Sequence, residues 1–438
     1  MPHYLEAGLP TLNPVETVAV EPGEAVRALL GEGASLATTP VGVAVLRYED
    51  VSRLLRDPRL RGPGDDLLVM QGITEGRLFR RNREILLFME GEDHHRLRRL
   101  VSKAFTPRAV DRLRPVMREA FGERLSDVAP RGRCEAVAEL CESYPIHVIC
   151  ALVGVPSGDW TLFSKWADVI LQSLSFDVAS KLQMIEEAIE EIDAYVTELI
   201  AGRRRDPGDD LLSELIAVEE QGERLTAAEL LAVTTMILVA GTDTTRNQLA
   251  LALHAFATHP DQWELVASRP ELIPAAVEEA IRFSAATGGL PRVALEDIEL
   301  HGVTIPAGTF VALASSAANH DPALLDRPDD LDVTREVPDA FTLLTFGGGT
   351  HYCLGAALAR AELQEALGLS APVLRDLALD GEPTWREPFG IWGPRSLPLR
   401  WSVAGTLASQ PARDIRATPW RPQGPPERLM IASGRPGD

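Results

Sequence analysis

Cys353 is the residue whose surroundings in the sequence point most directly to chemistry. It lies in the segment FGGGTHYCLG, residues 346–355, after three consecutive glycines and before the alanine-rich stretch LGAALARAELQEALGL. A helix beginning there would offer free N–H groups and the positive end of its dipole, and both stabilise a thiolate. The glycines at 347–349 carry no side chains, so their backbone could lie close against a flat ligand. Haem iron is a centre that takes a cysteine thiolate as axial ligand.

The same segment resembles the haem-ligand signature of the cytochrome P450 superfamily. The resemblance implies that Cys353 is the metal ligand, and that the other matching residues contact the cofactor, haem b (iron protoporphyrin IX). Cys134, Cys141 and Cys150 show neither metal-finger nor redox spacing, and we expect them to be buried free thiols. The matching residues are Phe346, Gly347, Gly349, His351, Cys353 and Gly355.

A second match is the segment AGTDTT at 240–245, where polar residues interrupt a long apolar stretch. It resembles the oxygen-activating segment of the family. The resemblance implies that Asp243 is the acid and Thr244 the alcohol that deliver protons during oxygen activation. Gly241 would leave space for dioxygen beside the iron.

Four residues could neutralise the two propionates of the haem, whose burial would otherwise be costly. His94 and Arg98, in HHRLRR, lie one helical turn apart and resemble the family's H-x-x-x-R pattern. Arg292 and His351 are candidates by family position. His95 lacks the four-residue spacing to Arg98, so we do not expect it in this group. The preceding EGEDHH departs from the more common proline-containing run, so the resemblance does not predict the conformation of this loop.

A third match concerns structure more than chemistry. Glu279 and Arg282, in EEAIRF, are similar to the family's E-x-x-R pattern, and their three-residue spacing places them on one helix face. Arg335, just before the cysteine segment, corresponds to the third member of the family's Glu-Arg-Arg network. Paired arginines of this kind would fix the loop that presents the thiolate.

One long helix must position Asp243 and Thr244. It begins at a capping-box pattern formed by Thr226 and Glu229, and its apolar pattern runs for about 33 residues, as far as Pro260. At 1.5 Å per residue it would be roughly 50 Å long and would cross the whole protein. Its polar centre, in an otherwise apolar helix, indicates a functional site there.

The remaining predicted elements are mostly helices, with a minority of strands. Strand patterns occur at 41–47 and 292–316, and we expect the helical stretch 94–128 to break at Pro107 and Pro115. The resemblance implies the cytochrome P450 fold, a single large domain that is mainly α with smaller β-sheets. The haem would then lie buried between the long central helix and the cysteine loop. The other helical patterns cover 136–152, 158–175, 178–204 and 210–221.

Composition limits the partners. The chain has 438 residues, a formal net charge of −21 and 45% hydrophobic residues. The acidic balance argues against a nucleic-acid partner. The N-terminal stretch lacks the basic and apolar regions of a secretory signal, and the longest apolar run, at 230–240, is too short for a membrane anchor. We therefore expect a soluble, cytoplasmic protein.

Two segments of unequal size are predicted. We expect one haem-thiolate monooxygenase domain over 1–402. From about 403 the periodicity is lost and six prolines occur before the end of the sequence. We therefore expect a proline-rich C-terminal tail over 403–438.

The resemblance implies that the chain activates O₂ and hydroxylates or otherwise oxidises an apolar organic substrate. No flavin or iron–sulfur motif is visible, so electrons would come from a separate ferredoxin or flavodoxin-type donor. The arginines of 96–114, with Arg360, could form its docking face. Two alternatives stay open: a peroxide-driven oxidase, which would not need the acid and alcohol, and a non-catalytic haem or gas-binding protein. Small residues at 283–291 favour either a roomy pocket or a flexible turn.

Overall fold

The computed structural model describes residues 1–13, 23–175, 177–220, 225–386 and 390–403. The predicted tail over 403–438 lies outside these ranges apart from Val403, so the division into domain and tail stays a prediction. The α-helices in the described ranges are α1 (Glu24–Gly31), α2 (Tyr48–Leu54), α3 (Asp66–Val69), α4 (Arg77–Asn82), α5 (Gly91–Val101), α6 (Pro107–Val128), α7 (Tyr144–Val153), α8 (Trp160–Ile170), α9 (Leu182–Arg205), α10 (Leu211–Glu220), α11 (Ala227–Thr258), α12 (Pro260–Ser268), α13 (Ile273–Phe283), α14 (Ser315–Asn319) and α15 (Ala356–Ser370).

The strands found in the described ranges are short and lie in four small sheets. They are β1 (Leu36–Thr39), β2 (Gly42–Val45), β3 (Leu60–Arg61), β4 (Arg133–Glu135), β5 (Leu290–Ala294), β6 (Ile298–Leu300), β7 (Val303–Ile305), β8 (Phe310–Leu313), β9 (Arg375–Leu379), β10 (Thr384–Trp385), β11 (Pro394–Ser396) and β12 (Pro398–Ser402). The largest sheet has the order β1-β2-β8-β5-β3, and the others are β4-β12-β9, β6-β7 and β10-β11. Among the strands of the described residues, β2 and β8 are the one pair that runs parallel. The predicted mainly helical fold with smaller sheets is confirmed.

Helix α11 is the long central helix that the capping box predicts. Its 32 residues begin after Thr226, whose hydroxyl accepts the Glu229 N–H at 3.2 Å. The Glu229 carboxylate in turn accepts the Thr226 N–H at 2.8 Å. The same carboxylate accepts from the Arg96 guanidinium of α5 at 2.5 Å, which ties the start of α11 to α5. Helices α7, α8, α9, α13 and α15 pack against α11 along its length.

The apolar character of α11 reflects its central position. Among the described helices it alone is long and apolar enough to cross a membrane. Its apolar side chains are instead buried against the surrounding helices, as Leu238, Leu249 and Phe256 illustrate. We therefore assign α11 to the core of the fold.

Pro115 does not end a helix, and the prediction of a break there is wrong. Pro107 occupies the first position of α6, where the missing N–H has no intrahelical role. Pro115 lies inside α6 on its exposed face, so the Asp111 carbonyl that loses its donor can bond water. The apolar face of α6 packs against α7 and α15, and this packing maintains the helix through the proline.

Candidate active site

A cavity of about 360 Å³ lies between the middle of α11 and the cysteine loop, residues 346–355. Most of its other walls are apolar, with Leu86, Phe105, Ile149 and Leu358 among them. The sequence predicted that these two segments face each other, and the cavity confirms it. The residues that α11 and the cysteine loop contribute are Met236, Ile237, Ala240, Gly241, Thr244, Thr245, Gln248, Phe346, Gly347, His351, Tyr352, Cys353, Leu354 and Gly355.

The loop glycines serve two purposes. Gly347 and Gly349 have φ angles of 72° and 63°, in the left-handed region that favours glycine. Gly347 borders the cavity. A Cβ at Gly349 would instead lie 2.8 Å from the Leu55 carbonyl oxygen, just after α2. Gly349 thus faces α2 and not the cavity, because the loop must pack closely against that helix.

The Cys353 thiol lines the cavity just before α15 begins. Its N–H donates to the Phe346 carbonyl at 2.8 Å and closes the loop. Burial raises the pKa of the Cys353 thiol, whereas the Gly355 N–H and the guanidinium groups of Arg98 and Arg360 lower it. These neighbours offset burial only in part, so a bound metal cation is what would make the thiolate the stable form.

Arg360 braces the cysteine loop from the α15 side. Its guanidinium pairs with Glu278 of α13, with one contact at 3.0 Å, and donates to the Tyr352 hydroxyl at 3.2 Å. It also lies 4.3 Å from the centre of the Phe346 ring, a cation–π distance. The sequence suggested Arg360 only for a docking face, and no local pattern indicated Glu278 as its partner.

The four residues predicted to hold propionates form the polar end of the site. Arg98, Arg292 and His351 line the cavity, and the His94 and His351 rings lie 4.4 Å apart. Arg98 donates to the Tyr352 carbonyl and Arg292 to the Pro291 carbonyl, and neither has a carboxylate partner within the described residues. Burial is the main cause that lowers the pKa of each arginine, and it lowers the pKa of His94 to about 4.

A buried polar atom at this end lacks a partner. His94 is buried, and its Nε2 finds no hydrogen-bond partner in the part of the chain that the structure describes. Orphaned buried polar atoms are rare in folded proteins. An anionic group beside His94, Arg98 and Arg292 would satisfy all three. The donors at this end therefore fit the propionates of a haem.

Glu90 also belongs to this end of the site, although the sequence did not indicate it. It accepts from His351 Nε2 at 3.1 Å and from the Gly62 N–H at 3.0 Å. Burial would raise the pKa of Glu90, but these bonds outweigh it and lower that pKa. Glu90 is the first residue of the EGEDHH run, and this contact orients the His351 ring.

The predicted acid and alcohol lie on different faces of α11. Thr244 lines the cavity, and its hydroxyl donates to the Ala240 carbonyl at 2.9 Å. Asp243 is buried away from the cavity and pairs with Arg246 and Arg386, the latter at 3.3 Å. Consecutive helix residues differ by about 100° in direction, so Thr244 faces the cavity while Asp243 faces the neighbouring helix α8 and Arg386.

Asp243 is part of a cluster of four charges. Asp168 of α8 accepts from Arg246 at 2.9 Å and lies 3.7 Å from Arg386. Burial raises the pKa of Asp243, and the two arginines counteract it. Two cations and two carboxylates balance one another here. The sequence analysis did not predict that Arg386 and Asp168 lie close together, because they are 218 positions apart in the chain.

The Glu279 network forms as predicted. The Arg282 guanidinium donates to the Glu279 carboxylate at 2.7 and 2.8 Å, and Arg335 donates to it at 3.1 Å. Arg282 also donates to the Asn319 carbonyl at 3.2 Å. The Asn319 side chain then bonds Thr345 at 2.9 Å, just before the cysteine loop. The network therefore fixes the base of that loop.

The segment 283–291 forms part of the cavity wall, with Ala286, Thr287 and Leu290 bordering the space. Gln248 of α11 holds it in place. Its amide donates to the Ser284 carbonyl at 2.8 Å and accepts the Ala286 N–H at 2.9 Å. This favours the roomy-pocket interpretation, because small residues line the cavity on a segment that is tied down.

Comparisons with known proteins agree with this geometry. The family model described as Cytochrome P450 matches residues 146–370. The chain is 38% identical to the luteothin monooxygenase of Streptomyces thioluteus, covering 84% of this chain and 90% of that protein. It is also 38% identical to the mycinamicin IV hydroxylase/epoxidase of Micromonospora griseorubida, covering 88% and 94%. The crystal structure of CalO2 superposes with a TM-score of 0.82 at 29% identity, covering 90% of this chain and 100% of that one.

These matches extend over most of the chain, well beyond the cysteine loop, and the similar proteins, a monooxygenase and a hydroxylase/epoxidase, are oxidoreductases. The chain therefore belongs to the cytochrome P450 family and is a P450-type monooxygenase with a haem-iron cofactor.

Proposed function

We propose that Cys353 would supply the thiolate that holds the haem iron and that the chain oxidises an apolar organic substrate held in the cavity beside α11. The observation that carries this proposal is one cavity lined by Cys353 from the loop and by Thr244 from α11. When bound, the haem iron supplies reductive activation of dioxygen and transfer of one oxygen atom to the substrate. We expect haem b, since no C-x-x-C-H attachment motif occurs in the sequence.

His94, Arg98, Arg292 and His351 would hold the propionates. The orphaned His94 Nε2 and the two arginines without carboxylate partners in the described ranges support this assignment. Phe346, Gly347 and Gly355 border the same cavity, and we assign them to contacts with the macrocycle. Gly349 would act indirectly, by letting the loop approach α2.

Thr244 would hold and move a proton on the cavity side of α11. Its hydroxyl bonds Ala240 in the structure and can rotate to meet a ligand or water. Asp243 would relay protons from solvent, because its cluster reaches the surface at Asp168. Arginines do not release protons, so the relay requires Asp243 to exchange an arginine contact for water.

Electrons would come from a separate ferredoxin or flavodoxin-type donor. Several cations of the expected docking face already form ion pairs within the chain, since Arg96, Arg114 and Arg360 all pair with carboxylates. Four exposed cations on α5, α6 and their connection have no ion pair within the described residues. Both helices are close to the cysteine loop: Arg98 of α5 donates to the Tyr352 carbonyl, and α6 packs against α15, which follows the loop. We propose that an acidic donor docks here, in the cytoplasm, on Arg99, Lys103, Arg108 and Arg112.

The two alternatives fit the site less well. A peroxide-driven oxidase would not need an alcohol on α11, so the position of Thr244 in the cavity supports dioxygen. A gas-binding protein would not need the apolar space beyond the cofactor. That space extends toward α4 and α8. Neither a nucleic acid nor a membrane anchor enters the proposal.

The test of this proposal is the ligand at Cys353. The ferrous carbon monoxide adduct of the wild-type protein should show the strongly red-shifted Soret band of thiolate ligation. Cys353→His should lose that band, whereas Cys150→Ala, a buried cysteine in the core, should keep it. Survival of the band in the Cys353 variant would rule out the assignment.

A further inference from the structure

A second cavity, of about 90 Å³, adjoins the first on the side of α4 and α8. The two share Leu87, Met236 and Ala240 as lining residues, so they are separated by no more than these side chains. Most of the second cavity is apolar. Four polar side chains interrupt its wall, namely Arg81, Asn82, Ser173 and Thr235.

Arg81 has hydrogen-bond donors to spare in this wall. Its residue exposure is only 9%, and it pairs with Asp193 of α9 at 3.1 Å through Nη2. That contact is misaligned, so Nη2 has no hydrogen-bond partner within the described ranges. The Nη1 contact to Asp193 is 3.5 Å long, at the limit for such a bond. A guanidinium carries five N–H donors, and buried donors without acceptors are costly.

The charges around this guanidinium balance. Asp193 neutralises Arg81 and accepts from the Thr235 hydroxyl at 3.3 Å. Burial lowers the pKa of Arg81 and raises that of Asp193, and among the neighbouring charges Glu84 raises the pKa of Arg81 whereas Arg77 lowers it. A carboxylate on a ligand would therefore add an uncompensated charge to an apolar space. A neutral acceptor would bond the free donor without that cost.

We propose that Arg81 determines specificity by selecting apolar substrates that carry a neutral carbonyl oxygen, as in a ketone, ester or lactone. The inference rests on the proposed function, because it names the substrate class of that same site. Thr235, in the polar wall, precedes Thr244 by nine residues, which is about 13 Å along α11. The carbonyl recognised by Arg81 is thus remote from the carbon that is oxidised.

The test uses three ligands that share one nine-carbon tail. Undecan-2-one carries the carbonyl, 2-methylundec-1-ene replaces its oxygen by a methylene group, and decanoate replaces its methyl group by a charged oxygen. Binding to the haem-loaded protein is measured both by calorimetry and by the Soret shift. The wild-type protein should bind the ketone about ten-fold or more tightly than the other two.

Three variants test whether Arg81 causes the preference for the ketone. Arg81→Met should remove the preference for the ketone over its methylene isostere. Arg77→Met is the matched control, since Arg77 links the same two helices through Glu190 at 3.3 Å but does not line either cavity. It should leave the preference unchanged. Asp193→Asn leaves Arg81 uncompensated, and decanoate should then bind more tightly than the ketone.

The outcomes separate this inference from the proposed function. Equal or absent binding of the ketone and its isostere to the wild-type protein overturns the role of Arg81. So does identical behaviour of the Arg81 and Arg77 variants. The wild-type and Asp193→Asn comparisons decide the matter if Arg81→Met fails to fold. Failure of the proposed function would appear separately: the carbon monoxide adduct of the wild-type protein would lack the thiolate band.

Discussion

Cys353 differs from the other three cysteines in what surrounds its sulfur. Cys134, Cys141 and Cys150 are buried in the hydrophobic core, where burial raises the pKa of Cys134 and of Cys150 to about 12. Cys353 borders a cavity, with the positive charge of Arg360 nearby. The four thiols therefore differ in their access to reagents and in their tendency to ionise.

In the haem-free protein, iodoacetamide should alkylate Cys353 and leave the three core cysteines unmodified, because the thiolate is the nucleophile. Burial raises the pKa of the Cys353 thiol, so the alkylation rate should keep increasing above neutral pH. Arg360→Met should slow the reaction further, since it removes a cation that lowers this pKa. Peptide mass spectrometry measures the modification, with Arg112→Met as the control. Equal labelling of Cys150 would contradict the assignment.

Thr244→Ala should separate oxygen consumption from product formation. The hydroxyl lies in the cavity and bonds only α11 itself, so its loss should leave the fold and haem content unchanged. Positioned proton transfer contributes typically about 10²–10⁴-fold, and its loss should divert reducing equivalents to hydrogen peroxide. The measurement is product formed and peroxide released per reducing equivalent. Wild-type coupling in this variant would remove Thr244 from proton delivery.

Asp243→Asn is the companion variant, and the structure changes what it should do. It leaves Arg246 and Arg386 with Asp168 as their remaining carboxylate partner in the cluster. We therefore expect a lower melting temperature as well as slower turnover. Slower turnover with coupling retained would agree with a relay upstream of Thr244. Turnover at the wild-type rate would exclude the relay.

At the scale of elements, the base of the cysteine loop depends on α13. Glu279→Ala would strand Arg282, which is 1% exposed, without its carboxylate. Breaking a buried pair in this way typically costs about 3–5 kcal/mol. Most of the protein should then be haem-free or aggregated, as judged by haem content and size-exclusion chromatography.

Glu278→Ala is the matched control for this prediction. Glu278 is the preceding residue of the same helix and also pairs with an arginine, but its side chain is 43% exposed. An exposed pair contributes about 1 kcal/mol or less. A Glu279 variant that is as soluble and as rich in haem as this control would show that the network is dispensable.

Sequence patterns predicted elements where the signal was local. The capping box of Thr226 and Glu229 placed the start of α11, and the E-x-x-R spacing placed Glu279 beside Arg282. The pattern did not predict that α6 continues through Pro115, because packing of its opposite face overrides a local cost. Nor did it indicate the π-helical turn over Val137–Cys141, which interrupts the predicted helix 136–152.

At the scale of the whole molecule, the proline-rich tail should be dispensable. The described residues up to Val403 already include β12, the central strand of its three-stranded sheet. Ending the chain after Val403 should therefore leave haem content and melting temperature unchanged. A decrease of several degrees would show that Trp420 or Leu429 packs on the rest of the chain.

The sequence patterns could not predict contacts between segments that are distant in the chain. His94, Arg98, Arg292 and His351 were found through family position, and the structure brings them to one end of the cavity. Glu90 was missed because its contact with His351 spans 261 positions. The cluster around Asp243 joins α8, α11 and the segment after β10. A local sequence pattern does not predict contacts between segments so far apart in the chain.

The contacts of the Glu229 carboxylate affect how the protein unfolds and how it loses its cofactor. It caps the first turn of α11 and also holds Arg96, two residues before Arg98 on the helix proposed to contact the propionates. Fraying of that turn therefore loosens α5, and release of an anion at Arg98 removes a restraint from the same turn. If Arg98 holds a propionate as proposed, we expect cofactor dissociation and local unfolding at this corner to be thermodynamically coupled, each making the other easier.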